Sequence, residues 1–127
     1  MNTITIVGTL GRDLELKFSN SGTAWATGSV AVSRKVKEEE VTTWFNIKLF
    51  GSMAENAVNS FKKGNRVICV GRIDIRSYET DNGEKRNATE LIVDEIGASV
   101  RWAMTDIKPV SSGAPKTENR QFVDEPW

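Results

Sequence analysis

One stretch of helical period, set among stretches that alternate with period two, constrains this chain most. Ala54, Ala57, Val58 and Phe61 recur at i, i+3, i+4 and i+7, the apolar stripe of a short amphipathic helix. Ser52-Met53-Ala54-Glu55 fits a capping box, in which the serine hydroxyl and the glutamate satisfy free helix N–H groups. Lys62 and Lys63 suit the negative end of the helix dipole, and Gly64 marks its stop. Everything around this helix reads as strand or turn.

Residues 3–7 form a β-branched run closed by Gly8, the first strand. Gly8 and Gly11 allow bends before Leu14, Leu16 and Phe18 alternate with Glu15 and Lys17. After a turn at residues 19–22, a second strand spans about residues 23–33, with Ala24, Ala26, Gly28, Val30 and Val32 facing in. Gly28 suggests a bulge or tight curvature. Trp25 falls on the opposite face with Thr27 and Ser29. Packing under a neighbouring segment or subunit is its favoured use, and binding is the alternative. Residues 34–40 read as a solvated hairpin tip whose basic half, Arg34 and Lys35, suits phosphate and whose acidic half repels it.

The third strand, residues 43–51, has two different apolar faces. Phe45, Ile47 and Leu49 make a core face. Trp44, Asn46, Lys48 and Phe50 make the other, which is costly to expose unless something flat and anionic lands there. Taken alone, this strand leans slightly towards plain packing or a subunit contact.

After the helix, a fourth strand spans about residues 66–78. Val67, Cys69, Gly71, Ile73 and Ile75 share its core face. On the other face Ile68 and Val70 are apolar, a candidate subunit contact, whereas Arg72, Asp74, Arg76 and Tyr78 repeat the cation-plus-aromatic grouping. Asn82-Gly83 signals a hairpin into a fifth strand at about residues 86–96. Gly97 breaks it, and residues 99–103 read as one more short extended segment. From residue 107 the periodicity is lost, and Pro, Ser and Gly mark a flexible, disordered tail. It ends Asp124-Glu125-Pro126-Trp127, an acidic-aromatic tip of the kind that serves as a docking peptide, with random composition as the alternative.

Length allows one domain, residues 1–106, followed by the tail, residues 107–127. Lys+Arg and Asp+Glu balance at 17 each, so no global basic field advertises nucleic acid, although a local groove needs none. Histidine is absent and Cys69 is the lone cysteine, in an apolar run, which leaves no metal site, no cofactor site and no catalytic constellation. With no apolar run near 18 residues, no membrane association is expected and the location is cytoplasmic. Five strands with a lone helix between the third and fourth is the order of an all-β OB-fold barrel, a fold that takes oligonucleotides or oligosaccharides.

At this point the chain resembles the bacterial and phage single-stranded DNA-binding protein family over essentially its whole length. The matching pieces are residues 7–13, 21–24, 43–51, 54–55, 61–64, 70–72 and 89–90. Residues 93–97 with 100–103 are similar to the actinobacterial branch, in which this segment adds a strand that clamps neighbouring subunits. The resemblance implies base stacking on Trp44, Phe50 and Tyr78. It also implies phosphate or groove contacts from Arg34, Lys35, Lys62, Lys63, Arg72 and Arg76, with Lys48 supported by its strand face. Ile68 matches a position in the family's subunit interface, to which Arg66 and Val70 are also assigned. Asp124, Glu125, Pro126 and Trp127 are similar to the family's partner-binding tip, which ends in Pro-Phe. Four positions depart from the pattern. Val36 and Tyr78 stand where tryptophan is usual, Asp74 replaces a basic residue, and Thr3 replaces a lysine.

The resulting expectation is a homotetrameric, non-enzymatic protein of the bacterial cytoplasm, or of a phage-infected cell. It would coat single-stranded DNA and recruit replication and repair proteins through its tip. A primosomal component of the same fold and an oligosaccharide binder are the rivals. The acidic-aromatic tip argues against the first and the interleaved Arg and Lys against the second.

Overall fold

The computed structural model describes residues 1–110. Its elements run β1 (Ile4–Leu10), β2 (Glu15–Phe18), β3 (Ala24–Val36), β4 (Glu39–Phe50), α1 (Gly51–Ser60), β5 (Arg66–Glu79) and β6 (Lys85–Ala98). β1 and β2 are two stretches of one path broken at residues 11–14. The architecture is therefore the expected five-stranded barrel with one helix between its third and fourth strands. The sheet order is β1-β5-β6-β4-β3-β2, and a further pairing of β1 with β3 closes the ring. β4 and β6 run parallel and the other pairs antiparallel, so the barrel is mixed.

Closure happens at a glycine that the sequence pattern assigns to a strand end. β1 continues through Gly8, pairing with β5 as far as Thr9 and with β3 at Thr9–Ala31 and Leu10–Val30. A Cβ on Gly8 would collide with the Ala31 carbonyl, so only glycine lets the two backbones approach this closely. Alternate residues of each strand then fill the interior, among them Val30, Ile47, Leu49, Val67, Cys69 and Leu91. α1 packs on β2, β3 and β4, burying Ala54 and Ala57 with Val58 and Phe61 beside them. Burial pushes the Cys69 thiol pKa up to about 11, as befits a small core side chain.

Several local expectations are corrected. The capping box does not form: Phe50 is the N-cap, no side chain caps the helix, and Ser52 lies inside it. Gly51, with φ +71, makes the swivel that brings the chain from strand to helix without a serine. The helix ends at Ser60, and Gly64 instead serves a turn in which the Asn65 N–H donates to the Lys62 carbonyl at 3.0 Å. Gly28 sits in unbroken register with Ile47, and its missing side chain leaves room for Leu14 rather than a bulge. The register shift falls instead in the β5–β6 ladder, where Val70 and Gly71 pair with Glu95 and Val93 and leave Asp94 of β6 as the extra residue.

Two hairpins run beyond the barrel. The β3–β4 ladder extends to Val36–Glu39 across a two-residue turn in which Lys37 and Glu38 both have positive φ. The β5–β6 ladder extends to Glu79–Lys85. Ile75, expected in the core, lies on this second arm and is exposed because nothing is layered over it. Residues 99–103 form no strand in the single chain; the Ser99 N–H donates to the Arg66 carbonyl at 3.0 Å and the backbone then bends. No helix among the described residues is long and apolar enough to cross a membrane.

Candidate nucleic-acid interface

Strand pairing decides which side chains share the outer face of the barrel. β4 presents Trp44, Asn46, Lys48 and Phe50 outwards while Ile47 and Leu49 are buried behind them. Cross-strand partners share a face, so the register with β3 adds Ala31, Ser29, Thr27 and Trp25 opposite those four in turn. Lys17 of β2 lies opposite Trp25. On the other side, Lys48 is level with Ile92 of β6 and then Arg72 of β5, and Asn46 with Glu90 and then Asp74. Arg76 and Tyr78 continue this face along the β5–β6 arm. The two halves of the cation–aromatic pattern are thus one surface.

The three aromatics expected to stack bases are accessible: Trp44 is 60% exposed, Phe50 46% and Tyr78 50%. Trp44 has a built seat. A Cβ on Gly11 would collide with its indole, so the ring lies over the Gly11 backbone, and the Gly11 N–H donates to the Ser29 carbonyl at 2.9 Å. Sequence reasoning reads Gly11 only as a bend. Phe50 is held by the end of β4 and shares an ammonium with Trp25. Lys48 Nζ stands 5.9 Å from the Phe50 ring centroid and 4.9 Å from that of Trp25, and Lys17 Nζ lies 5.0 Å from the Trp25 centroid. Trp25 is therefore on the same surface as Phe50, partly exposed, and packed under no other segment of the described chain that would hide it.

The expected cations are not equivalent. Arg72 pairs with Asp94 at 3.6 Å and Arg76 with Glu90 at 3.5 Å. Arg72–Asp94 is an exposed pair of the kind that contributes about 0–1 kcal/mol, so phosphate can displace it, whereas the Glu90 side chain is only 15% exposed. Glu90 and Asp94 are acidic neighbours that single-strand periodicity does not reveal. With Asp74 opposite Glu90, the middle of the face carries a carboxylate pair. Arg34 and Lys35 separate: Lys35 shares the outer face with Trp44, whereas Arg34, opposite Val41, points to the other side of the hairpin. Lys62 and Lys63 are on the α1–β5 turn, off the strand rows, with the Lys63 N–H donating to Asp13 Oδ1 at 2.7 Å.

A second apolar surface lies on β1 and β5. Val7 is opposite Ile68 and Thr5 opposite Val70, with Ile68 exposed and Val7 and Val70 half-buried. Next to it, the Arg66 guanidinium stacks on Trp102 with 4.6 Å to the ring centroid, and its buried Nε has no hydrogen-bond partner among the described residues. A cleft of about 400 Å³ opens there, lined by Phe61, Asn65, Arg66, Ser99, Trp102 and Met104 among others. The tip residues Asp124, Glu125, Pro126 and Trp127 lie outside the described residues.

A model of the single-strand binding protein family matches residues 1–99. The chain is 38% identical, over 141 aligned positions, to a single-stranded DNA-binding protein of Mycobacterium tuberculosis, covering 98% of this chain and 86% of that one. Identity to the single-stranded DNA-binding protein of Paenarthrobacter nicotinovorans is 41%, covering 80% of this chain and 64% of the relative. For that of Corynebacterium glutamicum it is 36%, covering 87% and 52%. These relatives are actinobacterial, the branch to which residues 93–103 point.

Proposed function

Because the chain belongs to the single-strand binding protein family, a family of non-enzymatic DNA-binding proteins, we propose that it binds and protects single-stranded DNA without sequence preference during replication, recombination and repair. The observation that carries this reading is the outer face of β4. Exposed Trp44 and Phe50 bracket Asn46 and Lys48 there, over an inner face on which Ile47 and Leu49 are buried. Aromatic platforms accept any base because every base has a π-face, and cations between them follow the phosphates. Tyr78, Arg72 and Arg76 extend the path along β5, Lys35 along the β3–β4 arm, and Lys62 and Lys63 supply charge beside the Gly11–Asp13 loop.

The chain acts as a homotetramer in the bacterial cytoplasm. The apolar strip of Val7, Ile68 and Val70, with Arg66 and the exposed Val100 and Trp102 nearby, is the surface that supports self-association. Several modest sites on one strand then gain from high effective concentration, which offsets the balanced net charge. Asp124, Glu125, Pro126 and Trp127 form a recruiting peptide for replication and repair proteins.

The test is a titration of labelled oligo-dT followed by anisotropy, with a duplex of equal length as control. Binding is expected to prefer the single strand, with log K falling by about 0.7 per unit log salt for each phosphate neutralised. Failure to bind at low salt, or equal affinity for duplex, refutes the assignment.

A further inference from the structure

We propose that Trp25 is an additional base-stacking position, with Lys17 and Lys48 as its phosphate partners, so that the bound strand leaves β4 at Phe50 and crosses β3 towards the edge strand β2. The inference deepens the reading of the chain as a single-stranded DNA-binding protein and rests on it.

Three observations converge on this corner. Trp25 stands directly opposite Phe50, so two aromatics from adjacent strands occupy one row of the outer face. Trp25 is not needed by the core, whose β3 contribution is Ala24, Ala26 and Val30 on the other side of the strand. Two ammonium groups converge on its ring, Lys17 at 5.0 Å and Lys48 at 4.9 Å.

The convergence is the informative part. Like charges gathered around one indole repel each other, and a polyanion passing between them relieves that repulsion. Among the described residues neither lysine takes part in an ion pair, and Glu15, the nearest acid on β2, is occupied by Arg12 at 3.2 Å. The opposite side of the face differs. There Arg72 and Arg76 already have carboxylate partners, and Asp74 faces Glu90. At the Phe50 end of β4, electrostatics therefore steers the phosphate backbone onward to β3 and β2. A base beside Phe50 then has the next aromatic within one strand spacing.

Binding of labelled oligo-dT to wild type, Trp25→Ala and Trp44→Ala, with circular dichroism and oligomer mass for each, tests the proposal. Trp25→Ala is expected to weaken binding about 5- to 150-fold, the range for loss of one stacked base, without changing oligomer mass. Lys17→Gln is expected to reduce the salt slope by about 0.7. If Trp25→Ala binds like wild type while Trp44→Ala is weakened, the inference falls and single-stranded DNA binding stands. If wild type does not bind, both fall. Loss of the oligomer on Trp25→Ala assigns the residue to a subunit contact and overturns the proposal.

Should Trp25→Ala not fold, photocrosslinking of the wild-type chain to iododeoxyuridine-substituted oligo-dT answers the same question. Trypsin places Trp25, Trp44 and Phe50 on three different peptides, since Lys17, Arg34, Lys48 and Lys62 separate them. An adduct on the Trp25 peptide supports the proposal. Adducts confined to the other two overturn it.

Discussion

The Trp44 indole rests on the Gly11 backbone, where any side chain would occupy the space taken by its ring edge. A groove residue on β4 is thus aimed by a loop from the start of the chain, which the Gly11–Ser29 hydrogen bond ties to β3. Gly11→Ala is expected to tilt the ring and weaken oligo-dT binding about fivefold, the lower end of a stacking contribution of roughly 1–3 kcal/mol. Because the indole is mostly exposed, shifting it sacrifices little burial, and melting temperature should change little. A large stability loss with unchanged affinity would count against this seat.

Asp74 and Glu90 face each other across β5 and β6, and directly opposed like charges destabilise a sheet. Asp74→Asn should tighten DNA binding severalfold at low salt, and the gain should shrink as salt screens it. It should also stabilise the β5–β6 arm by a few tenths of a kcal/mol, about the low end for cross-strand pairs. Titrations at two salt concentrations and a urea melt check both effects.

Lys37 and Glu38 occupy the central positions of the β3–β4 turn with φ +50 and +69. Left-handed backbone costs a side-chain-bearing residue roughly 1–2 kcal/mol. Replacing the pair with Asn-Gly, the favoured chemistry for such a turn, is expected to stabilise the fold by about 1 kcal/mol or more in a urea melt. DNA affinity should remain, because the turn lies beyond the aromatic face.

Cys69 is buried and its thiol pKa is raised by desolvation to about 11. It should resist thiol reagents at pH 8 in the native protein and react on unfolding. In the unfolded chain the thiol ionises at lower pH than in the folded one. Its contribution is therefore fully present below about pH 9 and is lost as pH rises through 11. Comparing wild type with Cys69→Ala should show a steeper alkaline decline in wild-type stability.

Removal of residues 124–127 should leave oligo-dT affinity intact or slightly raised while abolishing capture of replication and repair proteins. A large loss of DNA affinity on that truncation would rule out the recruiting role.

Much of this was legible because alternation reports burial wherever a strand has a layer behind it. Ile47, Leu49, Val67 and Cys69 follow the period-two pattern into the core. Ile75 obeys the same pattern and is exposed, because periodicity cannot say where the β5–β6 arm leaves the barrel. Trp25 could be assigned a face but not a neighbour. Only the registers of β2, β3 and β4 bring it level with Lys17 and Phe50. The ion pairs of Arg72 and Arg76 were hidden for a similar reason, since Asp94 and Glu90 belong to another strand. The capping box failed at Gly51, where a glycine with φ +71 makes the entry a serine was expected to make.

Phe50 closes β4 and is also the N-cap of α1, in extended conformation with φ −130 and ψ 153. On the proposed reading, one residue therefore serves as groove wall and as the point where the chain enters the helix that packs on β2, β3 and β4. On the same reading, substitutions at Trp44, Trp25 or Tyr78 should retune affinity with little effect on the fold. At Phe50 the two traits are inherited together, so divergence among relatives should proceed around this position rather than through it.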